Sequence, residues 1–135
     1  EASIVGEIRP SGDFYTYTAK YLDDRSELII PAPLPEPLSE HIRQTAIQAY
    51  LAIDCAGMAR VDFLLDPSTQ EVYISEVNTI PGFTRISMYP KLWEASGLPY
   101  RALVDRLIEL AFERKRERDQ TERTFKPGAP AGGRG

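Results

Sequence analysis

Apolar residues recur along this chain with two different periods, and the places where the period changes mark its elements. Ser3 to Ile8 alternates loosely and contains β-branched residues, which predicts a strand ending near Pro10, Ser11 and Gly12. Ile42, Ala46, Ile47, Ala49, Tyr50 and Ile53 form one helical stripe, with Ser39 placed to cap the helix and Gly57 to close it. Met58–Asp66 and Glu71–Asn78 then read as two antiparallel strands joined by a turn at Pro67, Ser68, Thr69 and Gln70. In the first strand Val61, Phe63 and Leu65 share one face and Arg60, Asp62 and Leu64 the other. In the second, alternation places Val72, Ile74, Glu76 and Asn78 together.

A polar loop follows Pro81-Gly82. A short helix is predicted around Lys91 to Ala95, ending at Gly97, and a longer one is entered through Pro99. Leu103, Val104, Leu107, Ile108, Leu110 and Ala111 give the long helix a stripe to bury. From Glu113 that stripe fades into a charged run, and the Pro/Gly/Ala-rich end from Lys126 reads as disordered. Residues 10–30 lack either period despite Phe14, Tyr15, Tyr17 and Tyr21, which suits an ordered loop packed on its own side chains. Pro31, Pro33, Pro35 and Pro37 at alternate positions predict an extended spacer before the first helix.

Composition narrows the classes. With 135 residues, 42% of them hydrophobic, the chain suits one ordinary core. A net charge of −4 argues against a nucleic-acid partner, because such domains carry clustered cations that displace counterions from phosphates. Glu113 to Gly135 holds seven basic and four acidic residues, +3, which leaves −7 on the preceding body. The lone Cys55 excludes an intrachain disulfide, reads as a small buried side chain and fits a reducing cytoplasm. No apolar run approaches the ~20 residues of a membrane span. The single His41, on a proposed proline-bounded helix, reads as a surface residue rather than a catalyst. The opening residue is Glu1, already inside strand-like sequence, so the chain reads as part of a longer polypeptide.

Candidate chemistry lies on the hairpin. Asp62, between Val61 and Phe63 on a half-buried strand, needs a partner. Glu76 and Asn78, at i,i+2 on the next strand, offer hard oxygen donors suited to Mg²⁺ that could converge with it. Spacing alone does not overturn the ordinary alternative, in which Asp62 pairs with Arg60 or another cation and Glu76-Asn78 sits at a solvated strand end. The surrounding sequence adds more: Gly57-Met58-Ala59-Arg60-Val61-Asp62-Phe63, then Glu76-Val77-Asn78-Thr79-Ile80-Pro81-Gly82-Phe83-Thr84, then Ile86-Ser87-Met88-Tyr89-Pro90. With Gly6-Glu7-Ile8, Phe14-Tyr15, Lys20-Tyr21-Leu22, Pro31-Ala32, Lys91-Leu92-Trp93 and Ser96-Gly97-Leu98, this resembles the D-alanine–D-alanine ligase family over about residues 4–112.

The resemblance implies an α+β fold, the C-terminal half of an ATP-grasp domain with antiparallel strands packed by helices. Residues 1–112 would belong to that domain, with residues 10–30 as its lid loop, and residues 113–135 would be a charged helical extension and tail. It implies ATP-dependent joining of two D-alanines through an acyl phosphate, in cytoplasmic synthesis of the peptidoglycan precursor. Two Mg²⁺ ions, replaceable by Mn²⁺, would be held by Asp62 and Asn78 with Glu76 between them. Arg60 and the Gly82 N–H would face the oxyanion, and Ser87 and the Met88 N–H the acceptor carboxylate. Lys20 would reach the γ-phosphate, and Tyr21 would close over the acceptor and favour D-alanine over D-lactate. The family's donor-substrate and adenine-binding portion is not in this sequence, so the piece is not expected to act alone; the whole enzyme would be a homodimer. Two rivals stay open: a ligase taking D-serine or D-lactate, and a non-catalytic metal- or nucleotide-binding module.

Overall fold

The computed structural model describes residues 1–9, 27–84 and 86–120. Most of the expected lid loop, with Phe14, Tyr15, Tyr17, Lys20 and Tyr21, and the tail beyond Gln120 lie outside the described residues.

The first hairpin pairs β1 (Glu7–Arg9) with β2 (Glu27–Ile29) antiparallel, setting Glu7 opposite Ile29 and Arg9 opposite Glu27. The expected strand from Ser3 is therefore shorter and later, since its partner is only three residues long. Sequence reading did not distinguish β2 from the irregular stretch before it. Upstream of β1 the chain is tied down singly: Ala32 N–H donates to the Val5 carbonyl at 2.8 Å and Ile4 N–H to Ser96 Oγ at 2.9 Å. Arg43 adds donations to the Ala2 and Ser3 carbonyls, both at 3.1 Å.

Helix α1 (Glu36–Ala52) starts earlier than Ser39 predicts. Pro35 is the N-cap, and Ser39 N–H closes the first full turn on the Pro35 carbonyl at 3.0 Å. Pro37 is accommodated in that turn rather than in an extended spacer, because the first N–H groups of a helix have no intrahelical acceptor to lose. The helix is also closed before Gly57. Asp54 takes the left-handed conformation at φ 49°, with Asp54 N–H on the Leu51 carbonyl and Cys55 N–H on the Tyr50 carbonyl, each at 3.1 Å. Aspartate tolerates this conformation better than most side chains. Cys55 is only half-buried, contrary to expectation.

β3 (Arg60–Leu65) and β4 (Val72–Asn78) form the expected antiparallel hairpin, against which α1 packs. The turn is held by Asp66, whose Oδ1 accepts from Ser68 N–H at 2.7 Å, Ser68 Oγ at 2.6 Å and Thr69 N–H at 3.2 Å. One feature departs from simple alternation. Asp62 pairs with Glu76 but Phe63 pairs with Ile74, so Ser75 is an extra residue in β4. Val72 and Ile74 therefore move to the face of Phe63 and Leu65, away from Glu76 and Asn78, with which alternation had grouped them.

α2 (Met88–Ala95) begins three residues before its expected start, with Pro90 in its first turn, and it ends where Gly97 takes φ 90°. Leu98 N–H on the Trp93 carbonyl at 2.9 Å and Gly97 N–H on the Glu94 carbonyl at 3.0 Å complete that end. α3 (Tyr100–Asp119) follows, with Pro99 as N-cap. Ile42, Met88, Tyr89 and Leu103 are the buried hydrophobic residues of the described chain. Of the predicted α3 stripe only Leu103 is buried, whereas Ile108 is 52% exposed, so the stripe is not covered along its length. No described helix is long and apolar enough to cross a membrane.

Candidate functional site

The strand register builds the first half of the site. Arg60 lies opposite Asn78 and Asp62 opposite Glu76, so all four side chains share one face of the β3–β4 hairpin. The bulge at Ser75 preserves that grouping while turning the apolar residues of β4 to the other side. Two carboxylates directly across a strand pair repel, so the face requires a cation. Arg60 supplies one: Nε donates to Asp62 Oδ1 at 2.6 Å and Nη2 to Asp62 Oδ2 at 2.8 Å. The same Nη2 lies 3.7 Å from Glu76 Oε1, which also accepts from Asn78 Nδ2 at 2.9 Å. The Arg60–Asp62 pairing left open by the sequence is thus present, within a cluster that also contains Glu76 and Asn78.

The donor types suit a hard divalent cation, since two carboxylates and one carboxamide oxygen can be presented from one face. Among the described residues no group of three or more His, Cys, Asp or Glu is placed to hold a metal, so any such site depends on the Asn78 carboxamide and on other oxygen donors such as phosphates. The Arg60, Asp62 and Glu76 side chains are 22%, 27% and 40% exposed, which leaves the face accessible.

The second half lies four residues beyond Asn78. Pro81 is buried, and the loop after it closes on itself through Ser87. Ser87 Oγ accepts from Thr84 N–H at 3.0 Å and shares a hydrogen with Thr84 Oγ1 at 2.9 Å. A Cβ on Gly82 would stand 3.0 Å from Ser87 Oγ, so glycine permits this closure. Ser87 is the N-cap of α2 in extended conformation, φ −69° and ψ 139°, and its side chain makes no capping bond. The first N–H groups of α2, beginning with Met88, thus have no acceptor within the helix and face an anion-favouring end of the helix dipole.

Packing fixes that end. Met88 and Tyr89 are 8% and 6% exposed, and burial pushes the Tyr89 phenol pKa upward. Phe83 packs tilted against Tyr89 at 5.7 Å and edge-on against Tyr100 at 5.2 Å between ring centroids, joining the loop to both helices. Gly6 is a supporting residue: a Cβ there would come within 2.6 Å of Met88 Cε and 2.8 Å of Leu92 Cδ2. A glycine inside strand-like sequence was the available signal for that close approach. Thr84, which positions the Ser87 hydroxyl, had no signal beyond its place in the Pro-Gly-Phe-Thr run. A cavity of about 440 Å³ opens beside this loop, lined by Thr84, Pro90, Lys91, Glu94 and Tyr100.

The fold recurs in solved proteins. The D-alanine-D-alanine ligase of Coxiella burnetii matches with a TM-score of 0.69 and 48% identity, over 72% of this chain and 28% of that one. The VanG D-Ala:D-Ser ligase of Enterococcus faecalis matches at 0.69 and 39% identity, over 80% and 31%. The D-alanine–D-alanine ligase of Bacillus anthracis matches at 0.70 and 33%, over 86% and 38%. The fold is the C-terminal part of an ATP-grasp ligase domain, an α+β arrangement of antiparallel strands packed by helices. Residues 1–109 match the family model described as D-ala D-ala ligase C-terminus, and the chain belongs to that family. Among curated relatives, the D-alanine–D-alanine ligase of Thermoanaerobacter sp. (strain X514) is 60% identical over 119 residues, 87% of this chain. That of Caldicellulosiruptor bescii is 58% identical over 113 residues, 84% of this chain. The chain spans about a third of the length of these relatives, 33% and 31% respectively.

Proposed function

We propose that this chain supplies the metal-facing, oxyanion-facing and acceptor-binding residues of an ATP-dependent D-alanine–D-alanine ligase. The observation that carries the reading is the single polar face of Arg60, Asp62, Glu76 and Asn78, followed four residues later by the Gly82–Ser87 loop and the start of α2. In this reading ATP phosphorylates the carboxylate of one D-alanine. The amine of a second attacks the acyl carbon, the C–N bond forms, and phosphate leaves.

Asp62, Glu76 and Asn78 would hold Mg²⁺, Glu76 serving two ions, and the metal when bound neutralises charge on the phosphates. Arg60 and the Gly82 N–H stabilise the oxyanion of the tetrahedral intermediate. Ser87 Oγ and the Met88 N–H at the start of α2 bind the acceptor carboxylate, which fits the favourable anion environment there. Lys20 contacts the γ-phosphate and Tyr21 covers the acceptor; both lie outside the described residues. Catalysis is chiefly positioning and charge neutralisation.

Residues 1–112 act as the ligase-domain portion, residues 113–135 extend it, and the remainder of the active site comes from the part of the relatives that this chain does not span. The enzyme works as a homodimer in the cytoplasm, and its product serves synthesis of the peptidoglycan precursor. D-serine as acceptor is the second reading, favoured by the 39% identity to the VanG D-Ala:D-Ser ligase.

The test uses a protein in which this chain is joined to the remaining ligase portion. Phosphate release from ATP should require D-alanine and should fall steeply in Glu76→Gln. Turnover indifferent to D-alanine would defeat the ligase reading, and comparison of D-alanine, D-serine and D-lactate decides the acceptor.

A further inference from the structure

The charged side chains on the polar face of the hairpin bond to one another. Asp62 and Glu76 confront each other across the strands, and the Arg60 guanidinium is inserted against both, with two hydrogen bonds to Asp62 and a 3.7 Å approach to Glu76. Asn78 presents an amide hydrogen, not its oxygen, to Glu76 at 2.9 Å. A divalent cation approaching this face meets a fixed positive charge and an amide turned the wrong way. Carboxylates retain further lone pairs, so the obstacle is charge rather than lack of acceptor sites. Arginine suits the arrangement because its planar fork grips one carboxylate at two points and stays charged at every working pH.

We infer that Arg60 is a placeholder cation. In the metal-free protein it neutralises the Asp62–Glu76 pair, and a divalent cation binding those carboxylates displaces the guanidinium and frees it for the substrate oxyanion. This rests on the metal reading proposed above and adds an order to it: Arg60 is available to the reacting centre only after the cation is bound. It also gives a reason for the i,i+2 spacing of Arg60 and Asp62 on one strand face. The two stay adjacent in both states, so the exchange needs a side-chain movement and no change of register.

The inference is tested on the protein in which this chain is joined to the remaining ligase portion, by Mn²⁺ titration following free Mn²⁺ by electron paramagnetic resonance, with circular dichroism recorded for every variant. Arg60→Met should bind Mn²⁺ on the order of tenfold more tightly than the unaltered chain, and Arg60→Lys should fall between. In a parallel Mg²⁺ titration, the Arg60 Nε–H resonance should lose its protection from exchange as the ion binds. Unchanged or weaker Mn²⁺ binding in Arg60→Met, or an Nε–H signal that stays protected at saturating Mg²⁺, overturns the placeholder role. If Arg60→Met loses its fold, Arg60→Lys and the resonance decide. The underlying metal reading fails separately: Glu76→Gln would then bind Mn²⁺ as well as the unaltered chain, or neither protein would bind it.

Discussion

On the β3–β4 hairpin the functional side chains are held by one another, whereas in the loop before α2 they are held by the core beneath. Arg60, Asp62, Glu76 and Asn78 are polar, partly exposed and joined by charge-assisted bonds along and across two strands. Ser87 and Met88 are positioned by the closure of Ser87 on Thr84, by Gly82 and Gly6, and by burial of Met88 and Tyr89. The first region can change partners because its interactions are exchangeable. The second is preformed, since moving the start of α2 would expose apolar surface and disturb close packing. In the proposed ligase reading the first region would accommodate ions and the second would grip a small acceptor.

Substitutions can break this contrast, starting with the largest expected effect. In the protein carrying the remaining ligase portion, Glu76→Gln should lower D-alanine-dependent phosphate release by about a thousandfold, roughly 4 kcal/mol of barrier. Its thermal midpoint should hardly move, because the Glu76 side chain is 40% exposed. A large loss of stability would place Glu76 among the structural residues instead.

Leu103→Ala should show the reverse, a loss of about 3 kcal/mol in denaturant unfolding, because Leu103 is only 2% exposed and its removal leaves a cavity. Gly82→Ala is intermediate. Its Cβ would press on Ser87 Oγ at 3.0 Å, and the acceptor KM should rise roughly tenfold, about 1.4 kcal/mol. An unchanged KM would remove Ser87 from the acceptor site.

The smallest effect concerns the hairpin turn. The Ser68 hydroxyl, then the Ser68 and Thr69 N–H groups, hold the Asp66 pKa below its ordinary value. A carboxyl depressed in the folded state stabilises above its unfolded pKa, and the contribution is lost as pH falls through the folded one. Asp66→Ala should therefore slightly lower stability at neutral pH and flatten its decline below about pH 4. Equal acid limbs in both proteins would count against the turn as a source of hairpin stability.

Local pattern accounts for much of this architecture. The period change at Met58, the Pro67–Gln70 turn and the order of Asp62, Glu76, Asn78, Gly82 and Ser87 are all visible in the chain, and the structure contains the hairpin they predict. Helix ends were less legible. Pro37 and Pro90 look like interruptions but sit in first turns, where a missing N–H costs nothing, and Asp54 rather than a glycine takes the left-handed closing position. The short β2 escaped notice because its strand character comes from pairing with β1.

The sequence by itself determined which chemical groups are available and in what order, and its motifs determined the family to which they belong. Only the tertiary structure decided how they are grouped. The bulge at Ser75 separates Ile74 from Glu76, the register sets Asp62 against Glu76, and packing against Gly6 buries Met88. Each depends on a partner distant in the chain or on one extra residue in a ladder, whereas periodicity records only the relation of a residue to its near neighbours.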